Sequence, residues 1–262
     1  MTYEPKSEIS PSQADDIIMA GDVPSDSKPG YRMVSMAELR KMYGLWMNQD
    51  NLHMPMAQYL GMMLDVVRVM VHYKGVQTTT LPLDAWIYQE IIHERRPTVI
   101  IEIGNQCGGQ TMFLRDCLMN NDIDDARGVI GIDIHRVRMA PKAWDWPDIK
   151  WITGDACSQK VLNEVKDYIK PEDRVMIVED SSHEYEKTLT ILQNFGPLVS
   201  KDQYFCVEDT LLGQFVEFGK KKPRAYEAVD EFMQSSEDFV VDRNREKWFI
   251  TLNPEGFLVK IR

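Results

Sequence analysis

The stretch Ile101-Glu102-Ile103-Gly104-Asn105-Gln106-Cys107-Gly108-Gly109-Gln110-Thr111 leaves an apolar run, turns on glycines, and enters a helical pattern near Gln110. A strand that hands over to a helix in this way opens a parallel α/β sheet. Its glycines let the backbone approach a ligand, and the helix start offers unpaired N–H groups. The spacing departs from G-x-G-x-x-G, because Gln106 stands at the second glycine position and the acid Glu102 precedes the loop. Glu102 would repel a pyrophosphate there, so the loop suits a cationic or hydroxyl-rich cofactor better than a dinucleotide.

Working outward, mostly apolar runs at Thr98–Ile103, Val129–Asp133, Lys150–Thr153, Arg174–Glu179 and Tyr204–Glu208 are separated by segments long enough for crossover connections. This alternation predicts a parallel, doubly wound, Rossmann-like sheet. Helices are expected over Asp84–Arg95, ending before Pro97, and over Glu184–Phe195. The tail reads differently. Lys247–Leu252 and Phe257–Ile261 flank Asn253-Pro254-Glu255-Gly256, which predicts an antiparallel hairpin.

On the N-terminal side, residues 1–30 are rich in Ser, Pro, Asp and Lys and are expected to form a flexible segment. Residues 31–80 read as a helical extension, an interface or lid, with an apolar stripe at Leu60, Leu64, Val67 and Val71. The methionines Met54, Met56, Met62, Met63 and Met70 suit gap-filling or a subunit contact, which points to a homo-oligomer. Residues 81–262 then form the catalytic domain.

Acids recur where the apolar runs end, and in an open parallel sheet such positions converge on one crevice. Asp133 closes Gly131-Ile132-Asp133, where a carboxylate can accept ribose hydroxyls, and Asp155-Ala156 follows Thr153-Gly154. Either acid alone reads equally well as a strand-end or helix-cap residue. With Glu102, Gly104, Asn105, Gly108 and Gly109, they outline an S-adenosylmethionine pocket and resemble the class I methyltransferases. In those enzymes the first acid and glycine loop hold the methionine part, the second acid the ribose and the third the adenine edge. The resemblance implies a seven-stranded sheet with an antiparallel end.

Asp180, Glu208 and Asp209 follow the fourth and fifth strands, and carboxylates crowded together repel unless a cation joins them. Hard oxygen ligands favour Mg²⁺, with Ca²⁺ or Mn²⁺ as substitutes, and disfavour zinc. His183, three residues past Asp180, is placed to accept a proton from a substrate hydroxyl or, more blandly, to cap the next helix.

The combination I-E-I-G-x-x-x-G-G, G-I-D-I, E-D-S-S-H and V-E-D-T resembles the cephalosporin hydroxylase and rhamnosyl O-methyltransferase family, which includes metal-dependent macrolide-sugar O-methyltransferases. The resemblance covers about residues 80–210. It implies that Asp180, Glu208 and Asp209 bind Mg²⁺, that His183 is the general base with Asp180 beside it, and that Glu102, Gly104, Asp133 and Asp155 line the cofactor pocket. The family often reads D-S-x-H after an apolar residue, whereas Glu179 precedes Asp180 here. No two-His-one-carboxylate iron site is evident.

Composition agrees with a small-molecule enzyme. In 262 residues, 44% are hydrophobic, enough for a substantial core, and the net charge of −11 argues against nucleic-acid or anionic-membrane partners. Four cysteines without metal-type spacing and the absence of a signal-like start suggest a reduced, cytoplasmic protein. Substrate choice is expected in His135–Asp148, with Arg136, Arg138, Trp144 and Trp146, and in Leu211–Asp238. The basic run Lys220–Arg224 is either a solvated turn or a docking patch for a carrier. Two other readings use the same loop: a nicotinamide-dependent oxidoreductase, which leaves the acids after the fourth and fifth strands without a purpose, and a silent assembly subunit, which does not need them. Stabilisation by S-adenosylhomocysteine, by NADH or by neither separates the three.

Overall fold

The computed structural model describes residues 55–214 and 224–262. The expectations for residues 1–54, and for Lys220 to Pro223 of the basic run, lie outside the described residues. The chain divides into two compact units between Met70 and Val71. Of the first, the described part is helix α1 (Met56–Met70), on which Met62, Leu64 and Val67 are buried.

The second unit begins with a tight antiparallel pair, β1 (His72–Tyr73) and β2 (Val76–Gln77), turned by Lys74 and Gly75 at positive φ. Helix α2 (Pro82–Arg95) follows. Its proline sits in the first turn, where a missing N–H costs nothing, and left-handed Arg96 ends it by donating its N–H to the Ile92 carbonyl. Strands and helices then alternate: β3 (Val99–Ile103), α3 (Gly109–Met119), β4 (Gly128–Asp133), the short α4 (Pro141–Trp144), β5 (Ile149–Thr153), α5 (Gln159–Tyr168), β6 (Val175–Glu179), α6 (Tyr185–Phe195) and β7 (Tyr204–Val207). The chain closes with α7 (Ala225–Ser235), β8 (Phe239–Val241) and β9 (Phe257–Lys260).

The seven main strands lie in the order β5-β4-β3-β6-β7-β9-β8. β3 to β7 are parallel, and β9 runs antiparallel to both β7 and β8. The Rossmann-like expectation therefore holds, with the five core strands within about two residues of their predicted bounds.

One boundary differs. The strand that pairs with β9 on the side away from β7 is Phe239–Val241 rather than Lys247–Leu252. Asp242 caps a 3₁₀ turn at Arg243–Glu246, and Leu252 gives its backbone groups to Asp84 Oδ2 and to the Leu211 N–H, so no ladder groups remain there to pair with Phe257.

Strand alternation distributes the core over two layers. Val99, Ile101, Ile103, Val175 and Ile177 pack with Val161 and Leu162 of α5 and Ile191, Leu192 and Phe195 of α6. Ile100, Met176, Val178, Tyr204 and Cys206 pack on the other side with Ile87, Tyr88 and Ile91 of α2 and Leu114 and Leu118 of α3. Helices on both faces explain why these strands read as continuous apolar runs. Full burial contributes about 1.5–3 kcal/mol per large aliphatic side chain before entropy is counted. The chain reverses between β3 and β6, so the ligand crevice is expected beyond the carboxyl ends of that strand pair.

The β1–β2 pair lies across the start of α3. A side chain at Gly109 would strike the Gln77 carbonyl and come within 2.8 Å of the Val76 oxygen. Alanine in an unobstructed helix is more stable than glycine by about 0.5–1 kcal/mol. Gly109→Ala is expected to reverse that sign and lower the urea midpoint, because the hairpin backbone must move; an unchanged or raised midpoint would show that it does not press on α3.

Candidate active site

Backbone pairing continues one step past the strands: Asp180 donates its N–H to the Ile103 carbonyl (2.7 Å) and Glu208 to the Glu179 carbonyl (2.8 Å). Alternation then fixes which side chains meet. Glu102, Asp180 and Glu208 continue the face of Ile100, Val178 and Cys206, whereas Glu179 continues the face of Ile177. Three acids therefore share one side of the sheet edge, and Gly104 is wedged among them. At φ +95°, its Cβ would fall on the Asp180 carbonyl.

A small cleft opens at this edge. Glu102, Gly104, Asn105 and Gln110 line it together with Asp180, and Gln77 at the end of β2, with Thr78 and Thr79 after it, forms another part of its wall. Glu102 is fully buried. One of its oxygens accepts hydrogen bonds from Thr111 Oγ1 and from Asn105 Nδ2 (2.8 Å), and Oε1 has no partner. Burial pushes the Glu102 carboxyl up to about 7 against these bonds. Gln110 Oε1 is a second buried acceptor without a partner. Two unpaired acceptors in one cleft suit a ligand that brings N–H donors or positive charge.

The acidic cluster continues beside it. His183 Nε2 lies 3.7 Å from Asp180 Oδ1 and 3.3 Å from Asp209 Oδ2. One donor atom from each of Asp180, His183 and Asp209 can be chosen so that all lie within 4.8 Å of one another. His183 and Asp209 both hold positive φ, +53° and +57°, conformations that cost non-glycine residues energy and concentrate at functional sites. Burial, then the charges of Glu208 and Asp209, push the Asp180 carboxyl well above the usual carboxylate range. Burial and then Asp209 do the same to Glu208. Crowded, buried acids of this kind fit a divalent cation with hard oxygen ligands.

Glu208 is placed differently from the expected ligand set. Its Oε1 accepts from Tyr88 Oη (2.9 Å) and Gln110 Nε2 (2.6 Å), outside the Asp180–His183–Asp209 group. Asn253 ties this arrangement together, donating Nδ2 to Tyr88 Oη (3.2 Å) and accepting the Asp209 N–H at Oδ1 (2.9 Å). Nearby, Asp84 accepts the Leu252 N–H (2.9 Å), while its Oδ1 is unpaired.

Asp133 and Asp155, the acids expected on the nucleoside side, are engaged with backbone. Asp133 Oδ2 accepts the N–H groups of Asn105 (3.0 Å) and Gln106 (2.9 Å), so it shapes the glycine loop itself. Asp155 is exposed and accepts the Cys157 N–H (2.9 Å) ahead of α5, with Ala156 buried behind it. Gly108, at φ +88°, and Gly109 carry the loop into α3.

Arg136, read in the sequence as part of a substrate insert, bonds Asn105 Oδ1 (3.0 Å) and the Gly131 carbonyl (2.9 Å), and its guanidinium lies over Trp151. Trp146 donates to buried Asp116 (3.0 Å), which packs its loop onto α3. Trp144 is 45% exposed. Sequence reasoning missed Gln77–Thr79, Gln110, Tyr88 and Asn253. Only Gln110, inside the glycine stretch, stood where a signal existed.

Comparison with known proteins bears on the family and the fold. The family described as Rhamnosyl O-methyltransferase/CmcI matches residues 66–261. A rhamnosyl O-methyltransferase of Mycobacterium leprae is 27% identical over 192 residues, covering 72% of this chain and 82% of its own. One from Mycobacterium bovis is 26% identical, covering 72% and 77%. Among solved structures, the apo form of CmcI aligns with a TM-score of 0.59 at 19% identity, covering 83% of this chain and 89% of its own. The Mg-SAM form of CmcI aligns with a TM-score of 0.59 at 18% identity, covering 88% and 98%; at such identity the likeness concerns the fold. Among the described residues, no helix is long and apolar enough to cross a membrane.

Asp84 supplies a test of the buried acids. Burial raises its carboxyl from 3.8 to about 7, against hydrogen bonds from Thr251 and Leu252. A raised folded-state value contributes stability that is complete below the unfolded value and lost as pH rises through the folded one. Urea unfolding of the cation-free protein should show stability falling between about pH 4 and pH 7 more steeply in wild type than in Asp84→Asn. Equal slopes would mean that Asp84 stays ionised.

Proposed function

The chain belongs to the rhamnosyl O-methyltransferase/CmcI family and is an S-adenosylmethionine-dependent O-methyltransferase; from that premise we propose that it methylates a hydroxyl of a small molecule, a sugar or natural product, with Mg²⁺ at Asp180, Asp209 and Glu208 and His183 as general base. The observation that carries this reading is the cleft that runs from the unpaired acceptors Glu102 Oε1 and Gln110 Oε1 to Asp180. It offers a place for a cationic cofactor next to a place for a cation.

When bound, S-adenosylmethionine supplies the electrophilic methyl group, and Mg²⁺ supplies the positive charge that makes an acceptor hydroxyl more acidic. The protein does the rest by placement. Glu102 and Gln110 receive the donors of the cofactor's amino-acid part, and Asp133 keeps the glycine loop in shape through Asn105 and Gln106. Asp180 and Asp209 would hold the cation, and Glu208 would offer a third carboxylate beside them. His183 Nε2, between the two aspartates, takes the acceptor proton. No covalent enzyme adduct is required, so rate enhancement comes from proximity and from a fixed field around the developing oxyanion. The name of the mycobacterial relatives makes a deoxysugar hydroxyl the first acceptor to try. The helical segment before Val71 is proposed as a subunit interface or lid.

Calorimetry with S-adenosylhomocysteine, with and without Mg²⁺, tests this directly. Wild type should bind it and Asp133→Ala should lose most of the affinity, because the loop N–H groups lose their acceptor. Asp209→Ala should retain cofactor binding but lose at least 100-fold in methyl transfer, an effect on the scale of removing a metal or base. Full turnover in excess chelator would overturn the metal assignment, and no binding in wild type would overturn the pocket.

A further inference from the structure

Asp116 is a buried acid of α3, away from the residues that line the cleft, and side chains from three segments converge on it. Tyr73 Oη (2.8 Å) and Lys74 Nζ (2.6 Å) donate to its Oδ2, while Trp146 Nε1 (3.0 Å) and Arg115 Nη1 (3.0 Å) donate to its Oδ1. Burial works to raise this carboxyl, but the bonds from Lys74, Trp146, Tyr73 and Arg115 outweigh it and hold the value down at about 2. The group is therefore an anion at every ordinary pH, and each of its bonds is charge-assisted.

The two segments tied to α3 in this way both end at the cleft. Tyr73 and Lys74 belong to the β1–β2 hairpin, whose last residue, Gln77, forms part of the cleft wall with Thr78 and Thr79. A ribbon of two residues per strand has no stability of its own, so its place is set by what holds it. Val76 packs with Met112, and the Tyr73 ring meets Phe113 edge-on at 5.4 Å, contacts that are less directional than a hydrogen bond. Asp116 adds direction, because two neighbouring hairpin residues must point at one oxygen. Trp146 anchors the other segment, in which the Ala140 N–H donates to the Cys107 carbonyl of the glycine loop (3.1 Å). Lys142 Nζ crosses between the two by donating to the Lys74 carbonyl, and Lys74 Nζ lies 5.0 Å from the centre of the Trp146 ring.

We propose that Asp116 is a positioning residue for the cofactor cleft: by clamping Tyr73, Lys74 and Trp146 to α3, it sets the Gln77–Thr79 wall against Glu102 and Gln110 and steadies the glycine loop at Cys107. It touches no ligand itself. A binding site keeps its geometry only if the residues behind it are locked by their own hydrogen bonds, and here one carboxylate locks two walls. The role of Asp116 rests on the reading of this cleft as the cofactor site, but the clamp itself does not.

The test combines hydrogen exchange read by mass spectrometry with calorimetry of S-adenosylhomocysteine on the full chain. Asp116→Ala should speed exchange of the amides in residues 72–80 and weaken S-adenosylhomocysteine about tenfold or more, the scale of one charge-assisted hydrogen bond. Asp116→Asn keeps an acceptor oxygen for Tyr73 and Lys74 and should recover affinity to within about threefold of wild type. Asp173→Ala is the control for a merely structural acid. Asp173 is also buried and bonds Arg127 and Thr98 Oγ1 (3.0 Å), but it precedes β6, at the amino ends of the strands; its loss should lower global stability and leave the affinity unchanged. If Asp116→Ala does not fold, Tyr73→Phe/Lys74→Met, which leaves Asp116 with Trp146 and Arg115, carries the same expectations. Unchanged exchange at 72–80 overturns the clamp. Faster exchange with unchanged affinity, no recovery in Asp116→Asn, or an equal loss of affinity in Asp173→Ala overturns the positioning role. Absence of binding in wild type overturns the cofactor reading and with it that role, while the exchange comparison still decides the clamp.

Discussion

Two backbone hydrogen bonds hold the site together: Asp180 N–H to the Ile103 carbonyl and Glu208 N–H to the Glu179 carbonyl. They carry the parallel register one residue beyond β3, β6 and β7, and strand alternation then leaves no freedom about which side chains face each other. Glu102, Asp180 and Glu208 fall on one side, Glu179 on the other. A slip of one residue in β6 would exchange Asp180 for Glu179 in the cleft. The apolar residues Val175 to Val178, buried on both faces, hold that register, so core packing and site geometry are one constraint seen at two depths.

The acids at the edge are costly, and the fold concentrates that cost where it is useful. Glu102, Asp180 and Glu208 are all pushed toward the neutral form, chiefly by burial. Neutral donors from Thr111, Asn105, Tyr88 and Gln110 satisfy part of their hydrogen-bonding capacity without supplying charge. A positive ligand or a cation would supply what these donors cannot. Arg136, a positive group beside the glycine loop, is committed to Asn105 and the carbonyls of Gly131 and Ile152. It braces the loop and leaves the acidic edge to its ligands.

Much of this was legible in the sequence because it is local. The glycine stretch, the five apolar runs and the acids that end them each declare themselves within a few residues, and the structure brings Glu102, Asp180, His183 and Asp209 to one edge. What was not legible depends on contacts between residues 44 to 120 positions apart. Tyr88 meets Glu208 from α2, and Asn253 meets Asp209 from the last turn; neither carries a local pattern. The hairpin reading failed for a related reason: a turn signal at Asn253–Gly256 is real, but Leu252 is occupied by Asp84 and Leu211, partners that periodicity cannot reveal. Asp133 and Asp155 show the reverse case: they stand at the end of β4 and just past the end of β5, as their sequence positions indicate, and the bonds the structure shows are to backbone.

The place of β9 bears on when the molecule becomes active. Although it follows β8 in the chain, it lies between β7 and β8, and the turn that precedes it carries Asn253, which holds the Asp209 backbone. During vectorial synthesis, β7 emerges with an open edge and Asp209 without its partner until residues 253–260 have been translated, and β8 has nowhere to dock before then. The nascent chain can therefore assemble β3 to β5 well before the edge that carries Asp209 is complete. The delay keeps the acidic edge unfinished until the sheet can close around it.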